Sequence, residues 1–172
     1  MAILRPFSFK KWIDENRHLL KPPVGNQMVY KTADDIIVMV VGGPNNRKDY
    51  HFNETEEFYF QLEGDMVLKI IEDGIPVDIP ICEGEIFMLP GRTPHSPQRP
   101  ANTVGLVVEL VRPKTLLDSF IWFCEKCGNT LHESKLHVGD IVKELPPVMN
   151  EFYGSEDLRT CKKCGNVMQK PA

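Results

Sequence analysis

His51, Glu57 and His95 are residue types that can share one metal ion. Two imidazoles and a carboxylate are the donor set of the non-haem Fe(II) facial triad, which leaves up to three coordination positions open. Such open positions let dioxygen and a chelating substrate meet side by side, so that proximity contributes to catalysis. A second constellation is Cys124-Glu125-Lys126-Cys127-Gly128 and Cys161-Lys162-Lys163-Cys164-Gly165. Paired CxxCG knuckles match tetrathiolate metal binding better than a disulfide framework, and tetrahedral sulfur accepts either iron or zinc. A closed thiolate shell has no position for substrate, so a structural role is expected. The fifth cysteine, Cys82, lies in an apolar-leaning segment and is expected to be a small buried hydrophobe. Three charged residues complete the chemical inventory. Arg47 precedes His51 by four residues, Arg99 follows His95 by four, and Glu109 interrupts the run Val104 to Val111. Arginine forks suit a planar carboxylate. A carboxylate facing a barrel interior costs several kcal/mol unless something satisfies it. The plainer reading is two solvated arginines and an outward-facing Glu109 paired with Arg112. His18, His132 and His137 have no comparable context.

The elements that must position these residues follow from patterning. Ser8 can N-cap a helix carrying Phe9, Trp12, Ile13, Leu19 and Leu20, stopped by Pro22-Pro23. Short strand-like runs then follow at Met28–Lys31, Ile36–Val41, Phe58–Leu62, Met66–Ile71, Pro76–Ile81, Glu85–Leu89 and Val104–Val111. Glycine-rich turns separate them without helical stretches, which predicts a mainly β, antiparallel barrel or sandwich. Residues 114–172 hold both knuckles and the Leu145-Pro146-Pro147 break, and are read as a metal-stapled extension on a barrel spanning 1–113. The spacing of the histidine–glutamate set resembles the two signature blocks of the cupin (jelly-roll) barrel, G…HxHxxxE(x6)G and G(x5)PxGxxH. Glu57 is followed by six residues and then Gly64, and Gly84 leads to Pro90 and His95. Asn53 stands where the first block has its second histidine, and Gly91 comes one place early in the second.

The 172 residues are 42% hydrophobic and 26% charged, the composition of a globular protein. Acidic residues outnumber basic ones by 24 to 20, for a net charge of −4, which argues against a nucleic-acid partner. The longest apolar run, Ile36 to Val41, is far short of the roughly 20 residues a membrane helix needs. The first residues lack a basic n-region, so a cytoplasmic protein is expected.

Longer strings narrow this further. The segments Gly42-Gly43-Pro44-Asn45-Asn46-Arg47-Lys48-Asp49-Tyr50-His51, Glu56 to Met66, and Pro94-His95-Ser96-Pro97-Gln98-Arg99-Pro100 running into Glu109 resemble the 3-hydroxyanthranilate 3,4-dioxygenase family. The resemblance runs from Leu20 through the second knuckle. It implies His51, Glu57 and His95 as ligands of a catalytic Fe(II). It implies substrate contacts from Arg99, Glu109 and Glu57 and Arg47 on the dioxygen side, and Glu109, the one ionisable group in an apolar strand, is expected to handle the substrate's proton. It also implies that Cys124, Cys127, Cys161 and Cys164 hold a second, rubredoxin-like iron, as in microbial members, and by analogy a homodimer. The implied reaction opens the ring of 3-hydroxyanthranilate in tryptophan (kynurenine) catabolism, with both oxygen atoms entering 2-amino-3-carboxymuconate semialdehyde. That product closes spontaneously to quinolinate, a precursor of NAD. Two other classes compete: a metal-dependent cupin isomerase, and a non-enzymatic cupin with a zinc ribbon acting as a sensor. The missing second histidine and the Arg–Glu trio oppose the first, and the lack of a basic patch opposes the second.

Overall fold

A computed structural model describes residues 5–21, 25–139 and 141–171. The expected Pro22-Pro23 stop and the extreme N-terminus lie outside them. The chain opens on α1 (Phe9–Asn16), where the Ser8 hydroxyl accepts from the Lys11 amide as an N-cap should. A 3-10 turn at Arg17–Leu19 follows. Eleven strands come next among the described residues: β1 (Asn26–Met28), β2 (Ile36–Gly42), β3 (Asp49–Phe52), β4 (Glu57–Glu63), β5 (Met66–Glu72), β6 (Ile75–Ile81), β7 (Ile86–Leu89), β8 (His95–Gln98), β9 (Val104–Leu110), β10 (Asp118–Phe123) and β11 (Thr130–Leu136). The helices α2 (Ile141–Gly154) and α3 (Glu156–Arg159) follow before the second knuckle.

The strands form two antiparallel sheets, ordered β1-β2-β9-β4-β7 and β11-β10-β3-β8-β5-β6, in a cupin-type architecture. Alternation along β2 shows why its sequence is apolar throughout. Met39 and Val41 face the core between the sheets with Tyr59, Leu68 and Val107. Val40 faces the other way, under Ile13 and Leu20. Both faces are covered from Met39 to Val41, so no polar alternation is permitted there, while Ile36 at the strand's start is exposed. The helix α1 is also tied to the barrel by Arg17, whose two terminal nitrogens each donate 2.8 Å bonds to the Glu63 carboxylate.

A third core gathers Phe120 and Trp122 of β10, Phe152 of α2, and Met168. Trp122 and Phe152 stack with ring centroids 4.2 Å apart. Burying each such side chain contributes about 1.5–3 kcal/mol.

Several sequence expectations need correction. The first strand is Asn26–Met28 and not Met28–Lys31, because Asn26 to Met28 register against Val41 to Met39. The sequence patterning does not predict β3, β8, β10 and β11. Pro146-Pro147 does not break the chain but lies inside α2. The lost helical hydrogen bonds are offset by Leu145, Val148, Met149 and Phe152 packing into the third core. Cys82 is exposed, not buried. Ile81 takes the inward position at the end of β6, and Cys82 begins a turn closed by the Glu85 amide on its carbonyl.

Candidate active site

The two histidines come from the six-stranded sheet and the glutamate from the other. On β3 and β8, His51 and His95 are direct register partners. Glu57 opens β4, opposite Glu109 of β9 on one side and Leu89 of β7 on the other. The ligand-bearing atoms of His51, Glu57 and His95 all lie within 4.8 Å of one another, and all three residues are buried. Glu57 Oε1 is 3.6 Å from His51 Nδ1 and 3.4 Å from His95 Nε2. The remaining ring nitrogens are engaged elsewhere. His51 Nε2 is 2.7 Å from Asp118, and His95 Nδ1 is 2.9 Å from the Thr93 carbonyl. Both partners only accept, so these nitrogens carry the protons and the lone pairs face Glu57. That tautomer choice is the one metal ligation requires, and the three donors therefore fit a divalent cation.

Glu57 is further ordered by the Asn53 amide at 2.8 Å and the Tyr59 hydroxyl at 2.7 Å. Asn53, in the place of a second histidine, thus donates to the ligand carboxylate. Burial opposes ionisation of Glu57, yet His95 wins and holds its carboxyl below the usual range. The same attraction raises His95 against the effect of burial. Burial lowers His51 despite Asp118.

Arg47, Arg99 and Glu109 all line the cleft that holds the three ligands. Asn45, Met39, Val41, Tyr59 and Val107 share its walls. Glu109 is 8% exposed, and burial first and Glu57 second raise its pKa to about 7, against the pull of Arg112. The plainer sequence reading had its partner right and its face wrong: Arg112 does pair with Glu109, but inside the barrel. Arg47 is half-buried and ion-paired with the buried Asp49.

Arg99 differs from both. It is 1% exposed, its Nη1 donates 2.8 Å to the neutral Gln61 amide oxygen, and its Nε has no partner. Among the described residues it forms no ion pair, and burial lowers its pKa to about 10. Gly105 makes room for it, because a Cβ there would stand 2.6 Å from Arg99 Nη1.

Sequence reasoning missed Asp118, Asp49, Gln61 and Tyr59. Asp118 opens β10, a strand that carries no cupin signature, so no local signal marks it.

The thiolate cluster is apart from this cleft. Cys124 and Cys164 sulfurs are 3.6 Å apart, as are Cys127 and Cys161. A tetrahedron with bonds of about 2.3 Å has edges of roughly 3.8 Å, so the donors fit a tetrahedral metal. The two knuckles repeat one backbone design. Gly128 and Gly165, at φ 69° and 71°, donate to the carbonyls of Cys124 and Cys161. Burial raises the Cys161 thiol, but amides of Cys164 and Lys163 pull it down to about 6.

No helix among the described residues is long and apolar enough to cross a membrane. The family profile of 3-hydroxyanthranilic acid dioxygenase matches residues 1–153. A 3-hydroxyanthranilate 3,4-dioxygenase of Jannaschia sp. is 56% identical over 168 residues, covering 97% of this chain and 93% of that protein. The enzyme of the same name from Ruegeria pomeroyi is 54% identical with the same coverage. That of Neurospora crassa is 49% identical over 160 residues, 93% of this chain and 88% of the relative. With a buried His–Glu–His cleft of this make-up and matches that run nearly end to end, the chain belongs to the 3-hydroxyanthranilic acid dioxygenase family.

Proposed function

We propose that this chain uses dioxygen to open the ring of 3-hydroxyanthranilate, giving 2-amino-3-carboxymuconate semialdehyde. The observation that carries the reading is Arg99, a buried guanidinium with no counter-anion among the described residues, in the same cleft as the three ligands. An unpaired buried cation costs several kcal/mol, which a substrate carboxylate would offset. Iron(II), held by His51, Glu57 and His95, supplies the redox chemistry that dioxygen needs.

The protein does the rest. Arg99 binds the carboxylate and so fixes the ring in its plane. Met39, Val41 and Val107 contact the ring and exclude water. Glu109 takes the proton of the substrate hydroxyl, its carboxylate oriented by Arg112. Glu57 meets the substrate from the ligand side. Arg47, oriented by Asp49, stands on the dioxygen side. Both oxygen atoms end in the product, so no external reductant is consumed.

Cys124, Cys127, Cys161 and Cys164 are proposed to hold a structural iron or zinc. Residues 114–172 are proposed as an extension of the 1–113 barrel, joined to it by β10 pairing with β3. A homodimer in the cytoplasm, with the small aromatic substrate and dioxygen as its other partners, completes the reading.

Oxygen uptake by Fe(II)-loaded protein tests the reaction. One dioxygen should disappear per 3-hydroxyanthranilate, and 2-aminophenol, which lacks the carboxylate, should be a far poorer substrate. No uptake with the carboxylated substrate would overturn the assignment.

A further inference from the structure

We propose that Asp118 is a positioning residue for the metal site, selecting which nitrogen of His51 faces the ligand cluster and, through Arg112, placing Glu109 beside it. Asp118 is the buried first residue of β10. It lies far along the chain from His51, and it reaches the site because β10 pairs with β3, Phe120 opposite His51. His51 Nε2 donates to Asp118 Oδ2 at 2.7 Å. The Arg112 Nε approaches the two Asp118 oxygens at 3.1 and 2.9 Å. The same guanidinium reaches Glu109 and lies 3.8 Å from Glu57 Oε1.

The two histidines are therefore set by different means. His95 is oriented locally, by a neutral carbonyl two residues before it, and presents Nε2. His51 is oriented by a distant carboxylate and presents Nδ1. Phe120 stacks on its ring at 13° with centroids 5.1 Å apart, so one strand fixes both the face and the edge of the imidazole. A carboxylate partner also makes an imidazole a stronger donor than a carbonyl does.

This inference rests on the three residues being the metal site, and one experiment separates the two. Protein with its thiolate site loaded is titrated with Co(II) against a chelator, as wild type, Asp118→Asn and Asp118→Ala. Losing such a partner typically weakens affinity about 10–100-fold. Asp118→Ala should show that loss, with an altered Co(II) visible spectrum, and Asp118→Asn should fall between it and wild type. Affinity within twofold of wild type in both variants, with an unchanged spectrum, overturns the proposal even if thermal stability drops. Wild type binding no Co(II) beyond the thiolate site overturns the metal site itself. If the variants do not fold, nitrogen-15 NMR of the histidines in Zn(II)-loaded wild type still decides. A protonated Nε2 on His51 supports the proposal, and a protonated Nδ1 overturns it.

Discussion

The two metal constellations are built on opposite plans. The four thiolates sit on two copies of one short turn, each complete in five residues, with the same amide-to-carbonyl bonds closing it. The His–Glu–His set draws on three strands from two sheets, and no two of its ligands share a strand. The thiolate cluster has four like donors and a closed shell. The other has two imidazoles and a carboxylate gathered on one side and a cleft with charged residues on the other. A site that only holds a metal can be written into local turns. A site that must also hold a substrate needs groups of different chemistry converging from different directions, which only the barrel supplies.

If the contrast holds, the two sites should fail independently. The largest effect is expected at the catalytic cleft: His95→Ala should lower kcat/KM by roughly 10³-fold or more, over about 4 kcal/mol. Metal analysis should show one equivalent lost and the thiolate metal retained. Zinc supporting full turnover at that site would contradict the dioxygenase reading, since zinc has no redox chemistry. The reciprocal change, Cys161→Ser, should cost several kcal/mol of stability because metal binding there is folding energy. The folded fraction should keep its catalytic metal and its kcat. A dead but fully folded Cys161→Ser protein would merge the two sites into one functional unit.

Within the open site, Arg99→Ala should mainly raise KM, by roughly 2–5 kcal/mol of transition-state and ground-state binding. Glu109→Ala should instead lower kcat with substrate affinity nearly kept. Steady-state kinetics with substrate and oxygen varied separately distinguish these, and equal effects on both parameters in both variants would remove the division of labour. A smaller effect tests the local coding of the knuckles. Gly165 has φ 71°, so Gly165→Ala should cost about 1–2 kcal/mol, measurable by denaturant titration, with activity intact.

The smallest effect belongs to a charged pair remote from either plan. Arg17 holds the Glu63 carboxyl below its ordinary range, against a small opposing effect of burial. A lowered carboxyl contributes stability above its unfolded pKa and loses it as pH falls through the folded one. Arg17→Ala should therefore cost less than about 1 kcal/mol at neutral pH, the pair being solvent-screened. The difference from wild type should shrink as pH falls below the ordinary carboxyl range and Glu63, with Asp14 beside it, becomes protonated. A pH-independent cost would point to lost packing of Arg17 instead of lost charge.

Legibility in the sequence follows the same divide. The knuckles are contiguous, so residue identity and spacing alone announce them. The barrel's longer strands are legible because β2, β4, β5, β6 and β9 carry extended apolar or alternating runs. The strands that carry both histidines are not: β3 and β8 are four residues each, mostly polar, and β8 contains Pro97. They exist because neighbouring strands pair with them, which is information the segments do not hold. Likewise α2 keeps Pro146 and Pro147 only because its apolar face has Trp122 to pack on.

What the sequence by itself determined is the set of chemical groups: two imidazoles and a carboxylate at barrel-block spacing, four thiolates in turn motifs, and two arginines and a glutamate near them. What the tertiary structure decided is their environment. Glu109 and Arg112 pair from either face of a strand, and only closure of the two sheets puts that pair inside, where burial lifts the carboxyl toward neutrality. Arg99 becomes a site for an anion because the fold buries it against a glutamine and a glycine, with no ion pair among the described residues. Asp118 meets His51 because two strands far apart in the chain share a sheet. Spacing along a chain encodes contacts that a single turn or strand can make. Desolvation and cross-strand partners depend on what packs above and beside a residue, and that is set only when the whole barrel closes.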